Sequence, residues 1–124
     1  MTGKERMIKA INFEVADKVP HFESTFQLEY EAFGLKFPDN SIFKKCTKSE
    51  KKREIALCME IYAKILDRYK WDALTIFCPW SDADGIKAAK KNFGDNTFIG
   101  AIISDTVWNI GAISDWGNFS LILS

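Results

Sequence analysis

The fold is decided by residues 47–78, which read TKSEKKREIALCMEIYAKILDRYKWDALTIFC. Thr47 and Glu50 form a Thr-x-x-Glu capping box, which is typical of a helix start. Apolar side chains then recur at steps of three and four residues, and this spacing predicts one long amphipathic helix over Ser49–Lys70. These side chains are Ile55, Met59, Tyr62, Leu66 and Tyr69. The mostly apolar run 73–78 that follows predicts a buried strand.

The same alternation of helix and strand continues on both sides of this stretch. Thr2 and Glu5 form a second capping box at the start of a short helix, and Gly34 closes another. The remaining predicted helices are 3–12, 27–33 and 81–93, and the remaining predicted strands are 19–26 and 97–103. Helices that alternate with apolar strands predict an α/β fold with a parallel sheet.

Composition excludes several classes of protein. The chain has 124 residues, 47% of them apolar, which is enough for one domain with a core. Seventeen basic side chains balance seventeen acidic ones, so no net charge attracts nucleic acid or an anionic membrane surface. One histidine and three separated cysteines favour neither a zinc site nor a disulfide framework. With no run of about 18 uncharged apolar residues, we expect a cytoplasmic protein with reduced thiols.

The last quarter of the chain is nearly uncharged. Residues 92–124 contain only three charged side chains, Asp95, Asp105 and Asp115, among many large apolar ones. Such a segment needs cover from both sides, which a domain ending at Ser124 does not easily supply. We therefore expect the chain to be part of something larger, and to self-associate when it is alone.

The first candidate site residues follow the first predicted strand. In a parallel α/β fold, the active site lies beyond the carboxyl ends of the strands. Alternation along the strand puts His21 and Glu23 on one face, with Gln27 beyond them. Glu23 is the leading candidate for an acid, a base or a ligand. In the alternative interpretation, His21 and Glu23 are hydrogen-bonded partners inside the fold.

Further candidates follow the second and third strands. Cys78 is either a thiolate ligand or a small apolar filler, and Trp80 either lines a pocket or packs under its loop. Asp105 is either a functional group at the pocket rim or a loop residue that accepts hydrogen bonds from nearby backbone N–H groups. The lysine-rich clusters 44–45 and 51–53 alternate with glutamates and are interpreted as the solvated face of the long helix.

Three stretches of the sequence resemble the uroporphyrinogen decarboxylase-like family. Residues 2–14 (TGKERMIKAINFE) and 17–20 (DKVP) are similar to the opening of that family, which has a Lys-Glu-Arg helix, an acidic turn and an Asp-Arg-Val-Pro run. Residues 71–77 (WDALTIF) are similar to its second strand. The match runs in order over most of residues 2–105.

The resemblance implies a fold. The family forms a (β/α)8 TIM barrel with parallel strands, which needs about 250 residues. The 124 residues are then a single incomplete domain, the first third to half of such a barrel.

The resemblance also narrows the reaction. Decarboxylases of the family carry an arginine-rich segment after the first strand, whereas residues 23–28 read ESTFQL. They also carry Phe-Ser-Asp after the second strand, where residues 77–79 read Phe-Cys-Pro. A multiply carboxylated substrate needs cationic partners, so both departures disfavour it. The chain resembles better the sister branch of methyltransferases that act on corrinoid proteins.

The expected function is therefore that of the amino-terminal part of a methyltransferase acting with a corrinoid protein on a small-molecule methyl donor, such as an aryl ether. The resemblance places the zinc ligands of that branch beyond Ser124, so we expect no metal or cofactor to be held here and no activity of this part alone. The expected catalytic residues are Glu23 and Asp105, and the expected substrate-binding residues are His21, Gln27, Cys78 and Trp80.

Two other functions remain as alternatives. The first is uroporphyrinogen decarboxylation in tetrapyrrole (heme) biosynthesis. The second is a non-catalytic module that completes its sheet with a partner chain.

Overall fold

The computed structural model describes residues 1–77 and 83–101. The α-helices are α1 (Gly3–Ile11), α2 (Glu29–Phe33), α3 (Lys48–Tyr69) and α4 (Ala83–Phe93). A 3₁₀ helix spans Asn40–Lys44, and the strands are β1 (Ala73–Ile76) and β2 (Phe98–Ala101). All four predicted α-helices are confirmed, with boundaries shifted by a few residues. The predicted strands near residues 73–78 and 97–103 are confirmed as well.

The two strands form a parallel sheet with α4 as the connection between them. Ala73 lies opposite Phe98, and the register continues to Ile76 opposite Ala101. The predicted α/β class with parallel strands is therefore confirmed for the described residues.

Helix α3 begins as its sequence predicts. The Thr47 hydroxyl accepts a hydrogen bond from the Glu50 N–H at 3.3 Å, and the Glu50 carboxylate accepts one from the Thr47 N–H at 2.7 Å. The helix ends at Tyr69, and Lys70 caps it in the left-handed conformation with φ 53°. These caps fix both ends of the longest helix, whose direction determines where the rest of the chain can pack.

The core lies between α3 and the sheet. Its fully buried large side chains come from α3 and β1: Cys58, Ile61, Tyr62, Ile65, Leu74 and Ile76. Each large apolar side chain buried in this way contributes about 1.5–3 kcal/mol to folding. This burial makes α3 and β1 the centre of the described fold.

Helix α3 runs antiparallel to β1. Only residues 70–72 connect them, and the Phe77 N–H donates a hydrogen bond to the Tyr62 hydroxyl at 3.3 Å. Phe77 follows the end of β1, whereas Tyr62 lies in the middle of α3. The amino-terminal third of α3 therefore extends beyond the carboxyl end of β1.

The predicted strand over residues 19–26 is not formed. The His21 carbonyl accepts a hydrogen bond from the Asp72 N–H at 2.8 Å. Phe26 then packs against Tyr69 and Trp71, with ring centroids 5.4 and 5.9 Å away. Both aromatic residues precede β1, so the segment folds back instead of running along the strand. His21 consequently lies beside the amino end of β1, and its expected position at the carboxyl end is wrong.

Within residues 1–77 and 83–101, none of the helices has the length and apolar character needed to span a bilayer.

Candidate functional site

A buried arginine joins three separate segments at the amino end of the sheet. The Arg6 guanidinium donates two hydrogen bonds to the Asp17 carboxylate, at 2.6 and 2.9 Å. It also donates to the Asp72 carboxylate and, at 3.1 Å, to the Met1 carbonyl. A bidentate pair between a guanidinium and a carboxylate fixes the relative orientation of the two groups as well as their distance. The two acidic partners therefore hold α1 at a set orientation.

Asp72 is the centre of this network. It is 4% exposed, and its second carboxylate oxygen accepts a hydrogen bond from the His21 N–H at 2.8 Å. Its backbone N–H donates to the His21 carbonyl at 2.8 Å, and its carbonyl accepts from the Phe98 N–H at 3.1 Å. One residue thus links α1, the segment around His21 and both strands. Because the buried carboxylate is fully partnered, its main role is to position these segments.

The charges of the network depend on one another. Hydrogen bonds from Arg6 hold the pKa of Asp17 far below its usual range. The hydrogen bond to Asp17 in turn raises the pKa of Arg6 above the usual value of an arginine. Each group stabilises the charged form of the other. Asp17 and Arg6 therefore stay ionised throughout the physiological range.

A glycine allows α1 to approach this close. A Cβ atom at Gly3 would lie 2.7 Å from the Cα of Asp72, closer than real Cβ contacts. The Lys4 N–H donates to the Asn96 carbonyl at 2.8 Å, and the Lys4 ammonium donates to the Gly94 carbonyl at 2.8 Å. The first turn of α1 thus lies directly against the segments that lead into β1 and β2.

The predicted residues His21, Glu23 and Gln27 share one open groove of about 360 Å³ beside the amino end of β1. Its lining residues are His21, Glu23, Thr25, Phe26, Gln27, Leu28, Tyr69 and Trp71. The His21 Nε2 and a Glu23 carboxylate oxygen are 3.9 Å apart, and their side chains are 61% and 62% exposed. The two side chains share a face, as predicted. Their exposure contradicts the alternative that they are partners inside the fold.

Aromatic rings form one wall of the groove. Tyr69 stacks on Trp71 at 5.9 Å between centroids, and His21 meets Trp71 edge-on at 6.4 Å. The Arg68 guanidinium lies 5.7 Å from the centre of the Tyr69 ring and donates a hydrogen bond to the Ala32 carbonyl. The groove therefore presents a carboxylate and an imidazole beside an aromatic surface, an arrangement that can bind a flat molecule and exchange a proton with it.

The other predicted site residues, Cys78, Trp80 and Asp105, lie outside the described residues. Phe77, the last described residue after β1, packs against Phe37 at 5.0 Å and against Tyr62 at 6.3 Å. An aromatic cluster therefore marks the carboxyl end of β1, at the opposite end of the strand from the groove.

Among residues 1–77 and 83–101, no three histidine, cysteine or acidic side chains come together as a metal site. Comparison with protein-family models, with curated proteins and with solved structures finds no match to this chain.

The polar network was not predicted from the sequence. Arg6 and Asp72 are 66 residues apart, and an arginine on a short amphipathic helix ordinarily indicates an exposed side. The available signal was the resemblance, because Arg6, Asp17 and Asp72 all lie in the motifs quoted for it.

Proposed function

We propose that this chain is the amino-terminal part of a uroporphyrinogen decarboxylase-like barrel enzyme, and that the complete enzyme transfers a methyl group to a corrinoid protein. The observation that carries the proposal is the convergence of Arg6, Asp17 and Asp72 in one network.

This convergence supports the resemblance because it gives the motif residues a common physical role. Arg6 belongs to the Lys-Glu-Arg helix, Asp17 opens the Asp-Lys-Val-Pro run, and Asp72 precedes the strand β1. If the three motifs resembled the family only by chance, their charged residues would have no reason to lie together in the folded chain. Here they meet through charged hydrogen bonds, and a buried carboxylate is costly unless such partners are present.

The order of the described elements also fits the amino-terminal part of a barrel. A helix precedes each of the two parallel strands, and side chains of α3 and α4 share one buried core with those of β1. Repeated α-then-β units with parallel strands are what a (β/α)8 barrel extends and closes. In the proposed complete enzyme, the rest of the chain forms the other strands of the barrel.

The methyltransferase branch is favoured by the segment after Pro20. Decarboxylases of the family place arginines there to hold substrate carboxylates, whereas residues 23–28 read ESTFQL and contain no cation. A substrate with several carboxylates needs such cations, and a neutral methyl donor does not. The substrate class we propose is therefore an uncharged methyl donor such as an aryl ether.

The proposal places the reaction beyond Ile76 and Ala101, at the carboxyl ends of the strands. Asp105, which follows β2 in the sequence, is the proposed catalytic carboxylate. When bound, the corrinoid supplies the acceptor for the methyl group. The resemblance places the zinc ligands of this branch beyond Ser124, so the proposal assigns them to the rest of the enzyme. Glu23, His21 and Gln27 line the groove at the opposite end of β1, and the proposal gives them no step in the reaction.

The test uses the product of the complete reading frame that contains residues 1–124. The protein is incubated with a cob(I)alamin and a methyl aryl ether, and methylation of the corrinoid is followed by its absorbance. Methylation that requires the protein, without release of carbon dioxide from uroporphyrinogen, is the expected result. Release of carbon dioxide would support the decarboxylase instead. A protein that catalyses neither reaction would contradict both.

A further inference from the structure

A cationic face covers the start of α3 and the turn before it. We define this cationic face by Lys44, Lys45, Lys48, Lys51, Lys52 and Arg53. All of them are exposed except Lys51, which is half-buried and pairs with Asp84 at 3.1 Å. Three carboxylates, those of Glu50, Glu54 and Asp84, lie beside these six cations. The face therefore carries excess positive charge on a chain whose formal net charge is zero.

The position of the cationic face follows from the direction of α3. The Tyr62 hydroxyl accepts a hydrogen bond from the Phe77 N–H at 3.3 Å, so Tyr62 lies beside the carboxyl end of β1. Lys51 is eleven residues nearer the amino end of the helix, which is about 16 Å at 1.5 Å per residue. The cationic face thus overhangs the carboxyl end of the sheet. In open α/β sheets and in barrels, this is the end at which ligands bind.

A cavity at one side of the cationic face contains an exposed apolar side chain. Ile42 is 41% exposed and lies in a cavity of about 340 Å³ together with Lys45, Cys46 and Arg53. An exposed apolar side chain inside a charged rim is the usual pattern of a protein–protein interface. Of the charged groups in this cavity, Glu50 is already engaged as a helix cap.

We propose that the cationic face docks an acidic surface of a partner protein. A protein surface can pair its carboxylates with the exposed lysines and pack an apolar side chain on Ile42. A nucleic acid fits less well, because its evenly spaced phosphates would also face Glu50 and Glu54 in this cavity, whereas a protein surface can place its carboxylates opposite the lysines alone. The inference depends on the direction of α3 and not on the reaction proposed above.

The test measures binding of fluorescently labelled poly-L-glutamate, the probe for an acidic polypeptide, to the full chain at low salt. The variant Lys48→Glu with Lys52→Glu reverses two charges of the face. Carboxylates near the start of a helix suit its dipole, so this variant is expected to fold, and circular dichroism checks that it does. The control is Lys36→Glu with Lys87→Glu, which makes the same change in net charge at exposed positions outside the face.

We expect the face variant to weaken binding by at least about tenfold and the control by less than about twofold, since complementary charge acts locally. Polyuridylic acid is expected to bind more weakly than poly-L-glutamate. Equal weakening by both variants, absence of binding by the original chain, or tighter binding of polyuridylic acid would each overturn the proposal.

Discussion

The guanidinium of Arg6 donates a hydrogen bond to the carboxylate of Asp72, with the two side chains only 7% and 5% exposed. This pair connects the first helix of the chain with the strand in the centre of the fold. The same carboxylate holds the backbone of His21, so the groove beside β1 is positioned by the network and not by strand pairing.

Removal of the Asp72 carboxylate should destabilise the protein strongly. Asp72→Ala leaves Arg6 without one of its buried partners and the His21 N–H without its acceptor, at an expected cost of about 3 kcal/mol in the free energy of unfolding. Urea unfolding followed by circular dichroism measures it. Asp67→Ala is the control, because Asp67 is 86% exposed and its pair with Lys70 should contribute less than about 1 kcal/mol. Equal effects of the two substitutions would contradict the central role of Asp72.

The pair of Asp17 with Arg6 should make stability depend on pH in the acid range. Arg6 lowers the pKa of Asp17 in the folded protein below its unfolded value of about 3.9. The stabilisation is therefore present above about pH 4 and is lost as the pH falls towards the folded pKa. Asp17→Asn should be less stable than the original chain at pH 7, and the difference should shrink steadily as the pH falls below about 4. Urea midpoints across this range test it, and a constant difference at every pH would disprove it.

The long helix was predictable because its signals are local. Thr47 and Glu50 lie three residues apart, and the apolar positions from Ile55 to Tyr69 repeat within the same helix. The short helix α2 was predictable for a similar reason, since Gly34 ends it with a φ of 67°. Such elements can be predicted from patterns that span a few residues, without knowledge of any tertiary contact.

The strand predicted over residues 19–26 failed because strand formation depends on a partner. Val19 and Phe22 favour extended structure, but β-propensity mainly reflects packing against a neighbouring strand. Here the His21 N–H bonds to the Asp72 carboxylate and Phe26 packs on Tyr69, so the segment leaves β1. These contacts lie about 50 residues apart in sequence, and no local pattern encodes them.

Loss of the amino-terminal cap of α3 should destabilise the protein less than loss of the Asp72 carboxylate. Thr47→Ala removes the side-chain acceptor for the Glu50 N–H and should cost about 1 kcal/mol in the free energy of unfolding. Thr47→Ser keeps the hydroxyl and should cost less than half as much. Urea midpoints of the two variants decide between them. An equal loss would show that the methyl group, and not the hydrogen bond, stabilises this end of the helix.

Substitution of Glu23 tests whether the groove at the amino end of β1 lies apart from the site of the proposed reaction. The side chain is 62% exposed, so Glu23→Gln should change the free energy of unfolding by less than about 0.5 kcal/mol. In the complete enzyme proposed above, turnover should stay within about twofold, because the groove lies at the amino end of β1. Asp105→Asn should reduce turnover by about a hundredfold or more, as expected for a general acid or base. A large loss of turnover in the Glu23 variant alone would instead establish the catalytic role that the sequence suggested for it.

The close approach of α1 to β1 should make Gly3 sensitive to a single added methyl group. The Cβ of Gly3→Ala would lie 2.7 Å from the Cα and 2.8 Å from the carbonyl oxygen of Asp72, and backbone atoms cannot rotate away as a side chain can. The first turn must then shift, which strains the Lys4 contacts with Asn96 and Gly94, and we expect a loss of about 2 kcal/mol. Gly100→Ala is the matched control, because its Cβ would meet no atom within 4 Å and its φ is not in the left-handed region. That control should leave stability unchanged or raise it slightly. A similar loss for both glycines, measured by urea unfolding, would mean that general backbone flexibility matters at these sites and that α1 is not held tightly against Asp72.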